Sequence, residues 1–272
     1  MSAPEQITFI ASRVQVGQVT LRTSEEETKM VFAPPGPDGQ PAPVLTGSRV
    51  RHVRREEVVA VREGVVERLR VTFIEEVSTV DTGDQSERTV GPLSGSTFEV
   101  ERKSENVAVA VFDASGAPAR FGVAAQVSGQ YRHFGRMPAT EVELPVGPQR
   151  VGQSSPEFAE GLVAGVSRGA AISAVDVAKA TLTEIVVGPE GANHGKYRVD
   201  LKVSAAANGS KITMALHGTV VLRDVDGAVL EVILQGSVTS VPEPAADGSV
   251  DPQIPSGAGE FKLTQTMVYA QA

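Results

Sequence analysis

The octapeptide Val66-Glu67-Arg68-Leu69-Arg70-Val71-Thr72-Phe73, just after the dipeptide Glu63-Gly64, decides the reading of the fold. Leu69, Val71 and Phe73 fall on one side and Arg68, Arg70 and Thr72 on the other, the period-two alternation of a half-buried strand. Glu63-Gly64 joins it to another Val-rich run from Val50 to Arg62, and a two-residue connection with Gly permits only an antiparallel hairpin. The same grammar continues on both sides. Short extended segments precede it at Ile7 to Ile10, Val14 to Leu21 and Lys29 to Phe32, joined by Gly17 and the acidic run Glu25-Glu26-Glu27. Gln85 to Val90, Thr97 to Arg102 and Val107 to Phe112 carry the meander forward to the turn Asp113-Ala114-Ser115-Gly116-Ala117-Pro118.

Two helices interrupt the strands. Phe121, Ala124, Ala125, Val127, Ser128 and Tyr131 fit a helical stripe, although Gly122 and Gly129 weaken it. Ser155-Pro156-Glu157 combines a capping serine, a proline at the first helical position and an acid in the first turn, so a second helix runs to about Val166. Strands resume at Ala180 to Val187, Tyr197 to Ala205, Lys211 to Leu222, Ala228 to Thr239 and Glu260 to Tyr269, with turns at Asn208-Gly209 and Asp226-Gly227. The fold class is therefore mainly β: a large curved antiparallel sheet, half-barrel or barrel of long hairpins with one or two short helices packed on it. The whole chain, 1–272, reads as one β-rich domain, with two halves of similar grammar at 1–135 and 136–272 and exposed Pro/Gly-rich loops at 33–44 and 241–259. Placing Gly64 over Gly227 aligns the hairpins of the two halves, and duplication and coincidence both remain open.

Composition narrows the function classes. The chain has about three Val for every Leu, no Trp, 12 aromatic residues among 272 and a formal charge of −8. An acidic chain with few stacking side chains is ill suited to gather phosphates or splay bases, so nucleic acid is not an expected partner. Arg49, Arg51, Arg54 and Arg55 form the one basic cluster, and Glu56, Glu57 and Glu63 follow at once, as on a charged strand face. Zero cysteine removes disulfides and thiolate chemistry. No stretch approaches the roughly 18 uninterrupted apolar residues of a membrane helix. Met1-Ser2-Ala3-Pro4-Glu5 carries no basic or apolar leader pattern.

Candidate chemistry is sparse. Gly165-Val166-Ser167-Arg168-Gly169 fits the G-x-S-x-G elbow of α/β-hydrolases, with Leu162-Val163-Ala164 as strand, Ala170 to Lys179 as helix, Asp176 or Asp200 as acid and His194 or His217 as base. That scaffold needs a parallel sheet, whereas the text is hairpin after hairpin. His52, His133, His194 and His217 lack the spacing of zinc ligands, and His133, beside Tyr131 and Arg132, is the first to mutate if an activity emerges. Asp81-Thr82-Gly83 and Asp224, Asp226, Gly227 read as turns, and Asn208-Gly209-Ser210 as a hairpin. Neither metal nor cofactor is expected.

Gly95-Ser96-Thr97-Phe98-Glu99-Val100, the run Val109 to Pro118, and Leu144-Pro145-Val146-Gly147-Pro148-Gln149-Arg150-Val151-Gly152-Gln153-Ser154 resemble a family of uncharacterised bacterial cell-envelope proteins. That family combines a strand pair, a D-x-x-G-x-P turn and an L-P-x-x-x-V-x-V-G-x-S/T-W segment, and this chain lacks the tryptophan. The resemblance implies a place in the periplasm or against the outer membrane, with the cytoplasm as the other option. The architecture is similar to periplasmic lipoprotein carriers, which implies a lipid-like ligand or protein partner held without chemistry. The expected function is thus a non-enzymatic envelope binding or assembly protein, with a serine hydrolase centred on Ser167 as the rival.

Overall fold

A computed structural model describes residues 5–10, 14–34, 42–102, 109–131, 144–166, 171–207, 209–244, 249, 251 and 254–271. In chain order the elements are β1 (Gln6–Ile7), β2 (Gln18–Phe32), β3 (Val44–Arg62), β4 (Val65–Thr82), β5 (Gln85–Val90), β6 (Ser96–Arg102), β7 (Val109–Asp113) and α1 (Phe121–Gln130). Then follow β8 (Gln149–Arg150), α2 (Pro156–Val166), β9 (Ala171–Val187), β10 (Asn193–Ala207), β11 (Ser210–Arg223), β12 (Val229–Pro242) and β13 (Gly257–Gln271). Apart from the short β1–β8 pair, the described strands form one open eleven-stranded sheet in the order β7-β6-β4-β3-β2-β13-β12-β11-β10-β9, with β5 beside β4. Its ladders are antiparallel throughout. The sheet does not close into a barrel.

The hairpin that decided the sequence reading forms as expected. Glu63 (φ 54°) and Gly64 (φ 80°) both take positive φ, the twist-matched turn that lets β3 and β4 continue as a tight ribbon. Several boundaries differ from the sequence reading. Glu25-Glu26-Glu27 does not link two short strands but lies inside the continuous β2. Arg51 and Arg49 stand opposite Glu25 and Glu27 on β3 and ion-pair with them, which removes the repulsion that made the acidic run look like a break. β3 begins at Val44, β12 continues through Pro242 and β13 begins at Gly257, so both predicted loops are shorter than 33–44 and 241–259. β9 starts at Ala171 rather than Ala180. Register shifts opposite Lys202/Val203 and Ser204/Ala205 absorb its irregular apolar pattern, which hid the strand from a period-two reading.

Residues opposite one another on neighbouring strands share a face of the sheet. Leu182, Tyr197, Val220, Val232, Gln265 and Ser24 form one such row, and Phe73, Arg54, Arg22 and Met267 another on the same side. Both helices pack on this side. α2 sets Phe158, Ala159, Leu162 and Val163 on Leu182, Tyr197 and Val199, with Tyr197 edge-on to Phe158 at 4.9 Å. α1 sets Val123, Ala124 and Val127 on Val71, Phe73, Phe98 and Val100. Phe121, placed in the predicted stripe, instead stands 91% exposed.

Three glycines on the helix-bearing side, Gly218 on β11, Gly236 on β12 and Gly259 on β13, step obliquely across adjacent strands. A Cβ at each would lie 1.8, 1.9 and 1.8 Å from the carbonyl oxygens of Ile233, Ala215 and Lys29 on the neighbouring strand. The backbone is turned there so that a side chain would run into the next strand, and only residues without Cβ allow such tight coiling. Gly236→Ala should therefore cost about 2–3 kcal/mol in urea unfolding. Gly122→Ala in α1, where a Cβ meets no atom within 4 Å, should be neutral or stabilise by up to about 1 kcal/mol.

Candidate functional site

Between the two helices the shared face changes character within a single ladder. On β13, Met267, Gln265 and Leu263 stand opposite Arg22, Ser24 and Glu26 on β2. From β13 towards β9 the surface is apolar: Leu234, Val232 and Val220 are buried, and Met214, Phe261, Leu263 and Tyr269 are partly buried against them. Towards β4 the same face carries a polar group that burial makes costly.

Arg22 and Arg54 lie directly opposite each other on β2 and β3, with side chains 6% and 12% exposed. Two adjacent guanidiniums repel unless an anion is shared between them. Glu56, one step along the same face of β3, lies 3.9 Å from Arg22 Nη2 and 3.5 Å from Arg54 Nε. The Tyr131 hydroxyl, at the end of α1, donates to Glu56 Oε1 at 2.7 Å. Arg54 Nη1 donates to Gln130 Oε1 at 2.8 Å, and its guanidinium stands 5.6 Å from the Tyr131 ring centroid. Arg54 Nε is buried without a hydrogen-bond partner. His52 follows on the same face, its Nδ1 3.8 Å from Glu76 Oε1 on β4. Burial, reinforced by the neighbouring Glu56 charge, pushes the Tyr131 phenol well above its ordinary value, so it stays a neutral donor.

The residues singled out in the sequence are scattered. Asp200 and His217 stand opposite each other on β10 and β11, on the face away from the helices; Asp200 lies 3.6 Å from Arg198, and His217 Nε2 is 3.4 Å from Gln235 Nε2. His194 follows Asn193 at the start of β10, and its Nε2 lies 2.7 Å from Glu190 Oε1. It pairs with Arg223, six residues from His217 on β11, roughly 20 Å along the strand. Asp176 lies in β9, 3.1 Å from Lys202. Leu162-Val163-Ala164 belongs to α2, and residues 171–179 are strand rather than helix. Ser167 and His133 fall outside the described residues. Asp226 holds its own turn, accepting from Ala228 N at 3.1 Å and from Arg223. No group of three or more His, Cys, Asp or Glu among the described residues is placed to hold a metal ion.

Sequence reasoning did not find Arg22, Arg54, Glu56 and Tyr131 as a group. A signal was available, since Arg54 is out of step by one with Arg49, Arg51 and Arg55 and so points to the opposite face.

No protein-family model matches the chain, and no curated protein matches it. Among solved structures, it is similar to lipovitellin, described in terms of lipid–protein interactions, with 8% identity and a TM-score of 0.37 over 95% of this chain. The chain spans about a quarter of that protein's length, 26%. It is also similar to an outer membrane channel from Pseudomonas putida F1, with 11% identity and a TM-score of 0.26, over 94% of this chain and 97% of the channel.

Two measurements check the buried group. Glu56→Gln should lower stability by roughly 2–4 kcal/mol and Tyr131→Phe by about 1–2 kcal/mol in urea unfolding, because each leaves buried polar partners unsatisfied. Tyr131 and Tyr197 are both held neutral by burial. A folded-state pKa raised above the unfolded value leaves stability intact below about pH 10 and removes it as pH rises beyond, where the unfolded chain alone ionises. Phenolate absorbance should thus show Tyr131 and Tyr197 ionising only together with unfolding.

Proposed function

We propose that this chain is a non-enzymatic holder of a hydrophobic, lipid-like ligand in the cell envelope, with the helix-bearing face of the sheet as the binding surface. The observation that carries this reading is the strip of Met214, Phe261 and Leu263. These apolar side chains stay partly exposed on the same face as the two helices and beside the core that α2 covers. Apolar surface left uncovered between packed elements is what a lipid chain can complete, at about 25 cal/mol for each Å² removed from water. The glycine diagonal runs through this strip, so three positions there add no side chain to the face. The opposite face supports the same assignment by contrast. Its charges pair across neighbouring strands, as in Arg51 with Glu75 and Arg70 with Glu99, a surface built for water. The envelope location rests on the resemblance of the central hundred residues, and a protein partner is the remaining form of the same binding role.

Displacement of a neutral naphthylamine dye tests the reading. The protein should bind the dye, and Leu263→Glu or Met214→Glu should weaken binding by about tenfold or more, since a carboxylate on the strip opposes burial of an apolar ligand. Val268→Glu, on the outer face and 62% exposed in the native chain, should leave binding unchanged. Equal effects from both faces would refute it.

A further inference from the structure

We infer that the exposed side of α1 is a membrane-contact surface, set against an anionic lipid bilayer with Phe121 as its apolar anchor and Arg120 beside it meeting the phosphates. The inference goes beyond the lipid-holder reading and stands on a different part of the molecule. Between Ala114 and Tyr131 the chain carries one charged residue, Arg120, although the whole protein has a formal charge of −8. α1 turns Val123, Ala124 and Val127 to the sheet. Its other side presents Phe121, Gly122, Ala125, Gln126 and Gly129 to solvent, and Phe121 is 91% exposed. A Cβ at Gly122 or Gly129 would meet no atom within 4 Å, so that side of the helix is open there. A surface helix ordinarily faces water with charged residues, and one that lacks them on every side is ordinarily covered. α2 follows the rule, with Glu157 and Glu160 exposed, and α1 breaks it.

The charges around this face select a bilayer as what covers it. α1 begins at Arg120 with no side-chain cap and no acid in its first turn, so the positive end of the helix and a guanidinium lie next to the exposed ring. Asp113, the nearest acid in the sequence, is engaged in its own turn, accepting from Ser115 N at 2.9 Å and from Ala117 N at 3.1 Å. Glu99 and Glu101 of β6 stand opposite Arg70 and Arg68 on the other face of the sheet. The exposed stretch from Ala114 to Pro118 adds no charge. An aromatic ring among small uncharged residues, with a cation at its border, suits the lipid interface, where the ring meets acyl chains and the cation meets phosphates.

Co-sedimentation of the full chain with vesicles of phosphatidylcholine, alone or mixed equally with phosphatidylglycerol, tests the assignment. The native chain should bind the mixed vesicles more tightly than the neutral ones. Phe121→Ser should weaken binding to both by about tenfold, and Arg120→Gln should weaken it about fivefold on the mixed vesicles only. Ala125→Glu should weaken binding to the mixed vesicles, whereas Glu160→Gln on α2 should leave it unchanged. Phe121 is too exposed for its replacement to remove packing, and an unchanged urea midpoint shows that the variants fold. If the native chain binds neither vesicle, or if Phe121→Ser and Ala125→Glu bind as the native chain does, the membrane assignment falls, and dye binding on the Met214 strip separately decides the lipid-holder reading. Self-association abolished by Phe121→Ser, without vesicle binding, would make this face a protein interface and overturn the proposal.

Discussion

The ladder between β2 and β13 is the constraint on which the rest depends. It pairs Gln18 with Gln271 and Phe32 with Gly257 without interruption, joining strands from opposite ends of the chain at the middle of the sheet. A slip of one residue would carry every side chain of one half to the other face. Arg22 would then meet water and Leu21 the interior, and the two helices would cover opposite surfaces. The register is held because both faces discriminate: Met267, Gln265 and Met30 are buried on one side, while Glu27 and Lys262 meet on the other. Such a pairing closes a loop of almost the whole chain, so the contact that fixes the architecture is also one of the last that folding can afford.

Around that seam the described residues form two hydrophobic clusters. Phe158, Leu182 and Tyr197 centre the first under α2, and Val71, Phe73 and Phe98 centre the second under α1. The Arg22, Arg54 and Glu56 group lies in the strip between them. Replacing a buried ionic group with apolar residues of similar volume is often neutral or stabilising, so stability alone gives no reason for this one to sit there. Perturbed, desolvated groups of this kind make a place in the fold a candidate functional site. α1 ties the two themes together, since its terminal Gln130 and Tyr131 contact the same arginine and glutamate that its apolar side chains help to shield.

Much of the fold was legible in the chain because its signals are local. Period-two alternation in Val66 to Phe73, positive φ at Glu63-Gly64 and the Ser155-Pro156-Glu157 helix start each depend on a few adjacent residues. The acidic run Glu25-Glu26-Glu27 misled for the opposite reason: its compatibility with a strand is supplied by Arg49 and Arg51, whose position opposite it depends on a register no local signal encodes. Bulges hid the first half of β9 in the same way. The candidate site was least legible. Tyr131 and Glu56 are 75 positions apart, and Arg54 sits in a run of arginines whose other members face the solvent side.

Photo-crosslinking with a monoacylglycerol carrying a diazirine along its acyl chain, followed by peptide mapping, tests the central claim most directly. The account predicts labels on the peptides containing Met214, Phe261 and Leu263, with the outer-face residues Leu21 and Val268 unmodified. Labels confined to Leu21 and Val268, or no labelling at all, would contradict it.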